Sequence, residues 1–160
     1  MSPIMFNGYP PSQSGYVWLV GAGPGAIDLI TMRGRQALAQ AEVVLYDDLA
    51  NSELLEICAA GTEFIHVGKR AGRHSVPQDE INRLLVAHAR AGRRVVRLKG
   101  GDPTVFGRLG EEVQALRSAG IAFEVVPGVT AACAAAAAAG VSLTQRGLAS
   151  AAVLVTGHEC

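Results

Sequence analysis

Val95-Val96-Arg97-Leu98-Lys99-Gly100-Gly101-Asp102-Pro103 is the stretch whose reading decides the fold of this chain. A short apolar strand, Val95 to Leu98, runs into two adjacent glycines, a carboxylate and a proline. Glycine has no Cβ, so a ligand can lie directly against this backbone. Asp102 adds one charged acceptor, and Pro103 stiffens the exit. Loops of this kind, at the carboxyl end of a strand, are where open α/β sheets bind small molecules. The same residues also make an ordinary strand-to-helix turn, and the stretch alone leaves both readings open.

Outward from this stretch, strands alternate with helices. Tyr16–Val20, Val43–Tyr46, Glu63–Val67 and Phe123–Val126 read as further strands. Helices are predicted from Thr31, as N-cap, to about Ala41, and from Ser52 through Ala59. Pro77 opens the clearest helix, with Ile81, Leu84, Leu85 and His88 on one face and Gly92 as its stop. Two more run from Glu111 to Ala119 and from Val129 to Ala139. This alternation predicts an α/β fold: a mostly parallel five-stranded sheet with helices on both faces. Residues 1–15, rich in Pro, Ser and Gly, read as a flexible leader without the basic start and apolar stretch of a secretory signal. Residues 16–140 form the α/β domain and 141–150 a linker. Within residues 151–160, Ala151–Val155 reads as a new strand, which must dock on this domain, pair with another chain, or be the first strand of a truncated second α/β domain.

The chain has 160 residues, 49% hydrophobic and 18% charged, which is enough for one domain with its own core. Its formal net charge of zero gives no global field for nucleic acid or an anionic membrane. No apolar run reaches the length of a membrane span. Cys58, Cys133 and Cys160 are widely spaced, form no C-x-x-C pair and have no histidine at metal-ligand spacing beside them. They read as reduced thiols of a cytoplasmic protein with no metal site.

Four loops carry candidate chemistry. Gly21-Ala22-Gly23-Pro24-Gly25-Ala26 satisfies a loose dinucleotide pattern, with Asp47 about twenty residues further on. An NAD-binding oxidoreductase is therefore one open reading. Pro24 weakens it by removing an amide, and the late helix start near Thr31 leaves no helix N-terminus on the glycines. The loop Val67 to Pro77 holds Lys69, Arg70 and Arg73 with no acid among them. It suits a substrate bearing several carboxylates, with Gly68 and Gly72 as hinges of a clamp, although a short charge run is often plain solvated surface. Asp47 and Asp48 end the second strand. Crowding would raise the pKa of one, and one could accept a proton or simply cap a turn. Val126-Pro127-Gly128-Val129-Thr130-Ala131 leads into an alanine-rich helix that permits close approach of a flat ligand.

Taken in order, Val20–Gly25, Leu45-Tyr46-Asp47, Val67–Gly72, Val95–Pro103 and Val126–Ala131 closely resemble the uroporphyrinogen-III C-methyltransferases of the tetrapyrrole methylase family. The resemblance runs from about Val17 to His158, and the Gly-Lys-Arg-Ala-Gly and Lys-Gly-Gly-Asp-Pro segments are its most specific parts. It implies the amino-terminal half of a two-domain fold, with S-adenosyl-L-methionine held between the domains. At matching positions it implies cofactor contacts from Pro24, Gly100, Gly101, Asp102, Val105, Thr130 and Ala131. It makes Asp47 the proton acceptor and Lys69 the proton donor, and implies a homodimer that methylates uroporphyrinogen III to precorrin-2 on the way to sirohaem or cobalamin. The basic residues Arg70 and Arg73 would then bind the substrate's acetate and propionate arms.

Four positions depart from the family pattern. Tyr46-Asp47-Asp48 replaces Tyr-Asp-Arg, and Asp102-Pro103-Thr104 replaces Asp-Pro-Phe. Leu109 stands where a glycine is usual, and Thr144-Gln145-Arg146 replaces Thr-His-Arg. Without a second domain to close the cleft, weak cofactor binding, poor turnover and self-association are the expectation. A non-catalytic half-domain acting as a dimerisation module is a third reading.

Overall fold

The computed structural model describes residues 15–68 and 76–157. Five strands form one all-parallel sheet: β1 (Tyr16–Gly21), β2 (Val43–Tyr46), β3 (Glu63–His66), β4 (Arg94–Lys99) and β5 (Ala122–Val126), in the order β3-β2-β4-β1-β5. The helices are α1 (Met32–Gln40), α2 (Gln78–Arg90), α3 (Leu109–Ser118) and α4 (Ala131–Ala138).

The sheet is covered on both sides, as its apolar strands require. On one face Trp18, Val20, Val44, Val96 and Leu98 pack with Ala37 and Leu38 of α1 and Leu54 of a short 3-10 segment, Ser52–Ile57. On the other, Val17, Leu19, Val43, Leu45 and Val95 pack with Ile81, Leu85 and Ala89 of α2 and Leu116 of α3. Alternate side chains of one strand thus feed two separate cores, so every inner position of β1 is buried.

Chain order fixes where a ligand can enter. β1 leads outward through α1 to β2 and β3. The chain then returns through α2 to insert β4 between β2 and β1, and continues through α3 to β5 on the far side. The reversal lies between β1 and β4, whose ends register as Gly21 with Lys99. A crevice outside the carboxyl ends of these strands is the expected binding place.

Local expectations hold in most elements and shift in a few. Thr31 caps α1 by accepting from the Gly34 amide at 3.1 Å. Asn51, not Ser52, caps the next segment, accepting from the Glu53 amide at 2.9 Å. The α2 face is Ile81, Leu85 and Ala89, while His88 sits at its edge beside Arg93. α3 begins at Leu109, two residues early, after Arg108 in left-handed backbone. Ala151–Val155, expected as a strand, makes no ladder among the described residues, because a lone extended segment has no neighbour to pair with. Residues 141–150 contain a tight turn closed by hydrogen bonds between Gln145 and Ala149.

Candidate functional site

The cleft is built where three loops meet backbone to backbone. Gly23 and Gly101 exchange hydrogen bonds of 3.1 and 2.7 Å, joining the loops after β1 and β4. A Cβ on Gly128, after β5, would come within 2.2 Å of the Gly101 carbonyl oxygen, so no other residue fits there without moving the loops. Gly101 itself takes φ 64°, which a side chain would strain. The glycines of the sequence pattern therefore serve contact between loops as well as any approach of a ligand.

Above this floor lies a cavity of about 390 Å³, lined by Gly23, Pro24, Leu49, Gly100, Gly101, Asp102, Val105, Phe106, Thr130, Ala131, Ala132, Leu154 and Val155. All seven positions expected to contact a cofactor, Pro24, Gly100, Gly101, Asp102, Val105, Thr130 and Ala131, lie on this one cleft. The volume falls in the range of small-molecule sites, about 300–1,000 Å³. Its lining is mostly glycine, small apolar residues and backbone. Phe106 stands exposed at the mouth, and both Phe106 and Arg108 take left-handed φ of 51°. Such residues cost roughly 1 kcal/mol or more each.

The second group of residues lies beside the cleft. Asp47 is not among the lining residues, although Leu49 is. Its Oδ2 accepts from Arg97 Nη2 at 2.8 Å, and its Oδ1 from the Leu49 amide at 3.2 Å. Arg97 Nε reaches Glu112 Oε1 at 3.2 Å, and Lys99 Nζ reaches Glu112 Oε2 at 2.7 Å. Gln78 of α2 donates to the same carboxylate at 3.4 Å. Glu112 is fully buried, and Arg97 and Lys99 nearly so. Two cations and two carboxylates thus form a charge-balanced chain from the core to Asp47. Burial pulls the Lys99 ammonium below its usual value, and the nearby Glu112 carboxylate only partly offsets this.

Asp48, adjacent in sequence, turns elsewhere. Its Oδ1 lies 2.7 Å from His66 Nε2, and its carboxylate packs against Gly68. The two neighbouring aspartates therefore do not share a site. Lys69, Arg70 and Arg73 lie outside the described residues. Among the described residues, no group of three or more His, Cys, Asp or Glu side chains is gathered as a metal site requires, and no helix is long and apolar enough to cross a membrane.

Reading the sequence missed Arg97, Lys99 and Glu112. The available signal was a cation inside an otherwise apolar strand, which needs a counter-ion if it is buried. It also passed over Leu49 and Phe106 on the cleft.

Comparison with known proteins agrees with this architecture. The family model for tetrapyrrole (corrin/porphyrin) methylases matches residues 16–159. The chain is 60% identical over 144 residues to a siroheme synthase of Tolumonas auensis, covering 90% of this chain and 31% of that protein. It therefore spans about a third of the length of the curated relatives it matches. A uroporphyrin-III C-methyltransferase from Thermus thermophilus is 50% identical, with TM-score 0.73, over 83% of this chain and 56% of that one. A structure of the Thermus enzyme complexed with S-adenyl homocysteine superimposes with TM-score 0.70, covering 86% of this chain and 57% of that one. With its parallel sheet, its glycine-floored cleft and a family match over nearly its whole length, the chain belongs to the tetrapyrrole methylase family.

Proposed function

We propose that this chain carries the amino-terminal half of a methyltransferase that uses S-adenosyl-L-methionine to methylate uroporphyrinogen III at carbon, giving precorrin-2. The observation that carries the reading is the gathering of all seven expected cofactor residues on one cleft at the β1/β4 reversal. The donor set fits such a ligand: the floor is open backbone, the walls are small and apolar, and the volume suits a molecule of that size. When bound, S-adenosyl-L-methionine supplies a methyl group already activated on a sulfonium.

The protein's task is then alignment and proton handling. Gly100 and Gly101 offer backbone to the ligand, while Pro24, Val105 and Ala131 shape the walls. Attack by a pyrrole carbon leaves a cation that must shed a proton, and Asp47 is the carboxylate assigned to take it. Arg97 holds Asp47 in place through an ion pair of 2.8 Å. Lys69 would return a proton, and Arg70 and Arg73 would grip the substrate's carboxylate arms. We place the enzyme in the cytoplasm, consistent with the free thiols of Cys58 and Cys133. It would act as a homodimer, with a second domain over residues 151–160 and beyond closing the cleft.

The NAD reading has less support in the geometry. α1 starts at Met32, capped by Thr31, so the α-helix does not begin on the glycine loop. Asp47, which would hold a ribose, is bound to Arg97 instead. Calorimetric titration with S-adenosylhomocysteine and with NAD decides between them. We expect binding of the first only, and NAD binding alone would overturn the proposal. Methyl incorporation into uroporphyrinogen III, assayed on the 160-residue chain, separates an active enzyme from a non-catalytic dimerisation module.

A further inference from the structure

Asp102 sits on the cleft floor, yet both its oxygens hold bonds within the protein. Oδ1 accepts from the Thr104 amide at 2.8 Å and from the Thr104 hydroxyl. Oδ2 accepts from the Gly128 amide at 2.9 Å, across 26 residues of chain. One side chain therefore ties the loop after β4 to the loop after β5. The same two loops are in backbone contact, since a Cβ on Gly128 would lie 2.2 Å from the Gly101 carbonyl oxygen. Thr130 and Ala131, on the cleft wall, follow Gly128 after one residue, Val129. A shift of Gly128 moves the wall relative to the floor.

A carboxylate held at one oxygen by a single donor can rotate about its last side-chain bond, which is a soft torsion. Two donors from Thr104 on the same oxygen restrain the plane, and this plane aims Oδ2 at the Gly128 N–H. The amide of residue 104 is available whatever the side chain. The hydroxyl is not, and phenylalanine, usual here in the family pattern, lacks it.

We propose that Thr104 is a positioning residue of the cofactor cleft: its hydroxyl fixes the Asp102 carboxylate in the orientation that braces Gly128. Asp102 supports ligand binding by holding two loops together. The inference rests on the cofactor reading above, and the test separates the two.

The experiment compares the 160-residue chain with Thr104→Val and Thr104→Ser. It records the Gly128 amide by nitrogen-15 NMR and S-adenosylhomocysteine affinity by calorimetry. In Thr104→Val the Gly128 amide should move upfield and exchange faster, and affinity should fall about tenfold as the competent arrangement becomes less populated. Thr104→Ser should restore both to within about twofold, since serine supplies the same hydroxyl. An unchanged Gly128 amide in Thr104→Val, or a serine variant that behaves like valine, overturns the brace. A shifted amide with unchanged affinity overturns its role in the cleft. A wild-type chain that binds NAD and no S-adenosylhomocysteine overturns the cofactor reading, and the Gly128 amide then still reports on the brace by itself.

Discussion

Asp47 and Asp102 stand just past the carboxyl ends of two neighbouring strands, β2 and β4, and are held in opposite ways. Asp47 is gripped by Arg97, whose charge is balanced deep in the core by Glu112 and Lys99. Asp102 is held by two backbone amides and a hydroxyl from loops. The first arrangement couples an expected catalytic group to global stability. The second couples an expected binding group to loop geometry. Identical side chains should therefore fail differently when their supports are removed.

The largest effect should come from the core end of the first arrangement. Glu112→Ala leaves Lys99 buried without its counter-ion and Arg97 with Asp47 alone, and should cost about 3–5 kcal/mol of stability. Urea denaturation measures this, and a variant as stable as the wild type would show that the ion chain is not what anchors this corner. Next comes the floor. Gly128→Ala forces a methyl against the Gly101 carbonyl and should cost about 1–3 kcal/mol as the loops part. Thermal unfolding and S-adenosylhomocysteine titration should fall together.

The two aspartates themselves sharpen the contrast. Asp102→Ala should weaken S-adenosylhomocysteine binding by about 1.5–3 kcal/mol. Asp47→Ala should leave that affinity almost unchanged while reducing methyl transfer. Equal losses of affinity, measured by calorimetry, would erase the distinction. The smallest effect is that of acid. Burial pushes the Asp102 carboxyl up, but the hydrogen bonds from the Thr104 hydroxyl, the Gly128 amide and the Thr104 amide outweigh it and hold the group below the ordinary aspartate value of 3.8. A carboxyl whose folded value lies below its unfolded one contributes stability above the unfolded value and loses it as pH falls through the folded value. The Gly128 amide shift should thus be flat down to about pH 5 and change only below about pH 4. In Asp102→Asn it should show no such step.

How far the sequence went divides along similar lines. The strands around Val17, Val44, Val96 and Val125 are legible because buried parallel strands are locally apolar. α2 is legible because Ile81, Leu84, Leu85 and His88 repeat with helical spacing, although Ala89 and not His88 completes the buried face. The cleft floor was readable too, since each loop announces itself with glycine and the alternation of elements places every such loop at one end of the sheet. The ion chain was not. Arg97 meets Glu112 across 15 residues and Asp47 across 50, and no local pattern tells a buried guanidinium from an exposed one. The strand expected at Ala151–Val155 was misread for the same reason, because a strand exists only by virtue of its neighbour.

β1 lies between β4 and β5 in the sheet, so the earliest made of these five strands is among the last to be completed. Tyr16 pairs with Arg94 on one side and Ala122 on the other. At a synthesis rate of about 5–20 residues per second, Tyr16 waits roughly 4–16 s for its first partner to be made. Throughout that time Val17, Trp18, Leu19 and Val20 have no strand to cover them. Closing so long a loop also makes the productive pairing slow. On the ribosome, this nascent segment is where a chaperone would have most to hold.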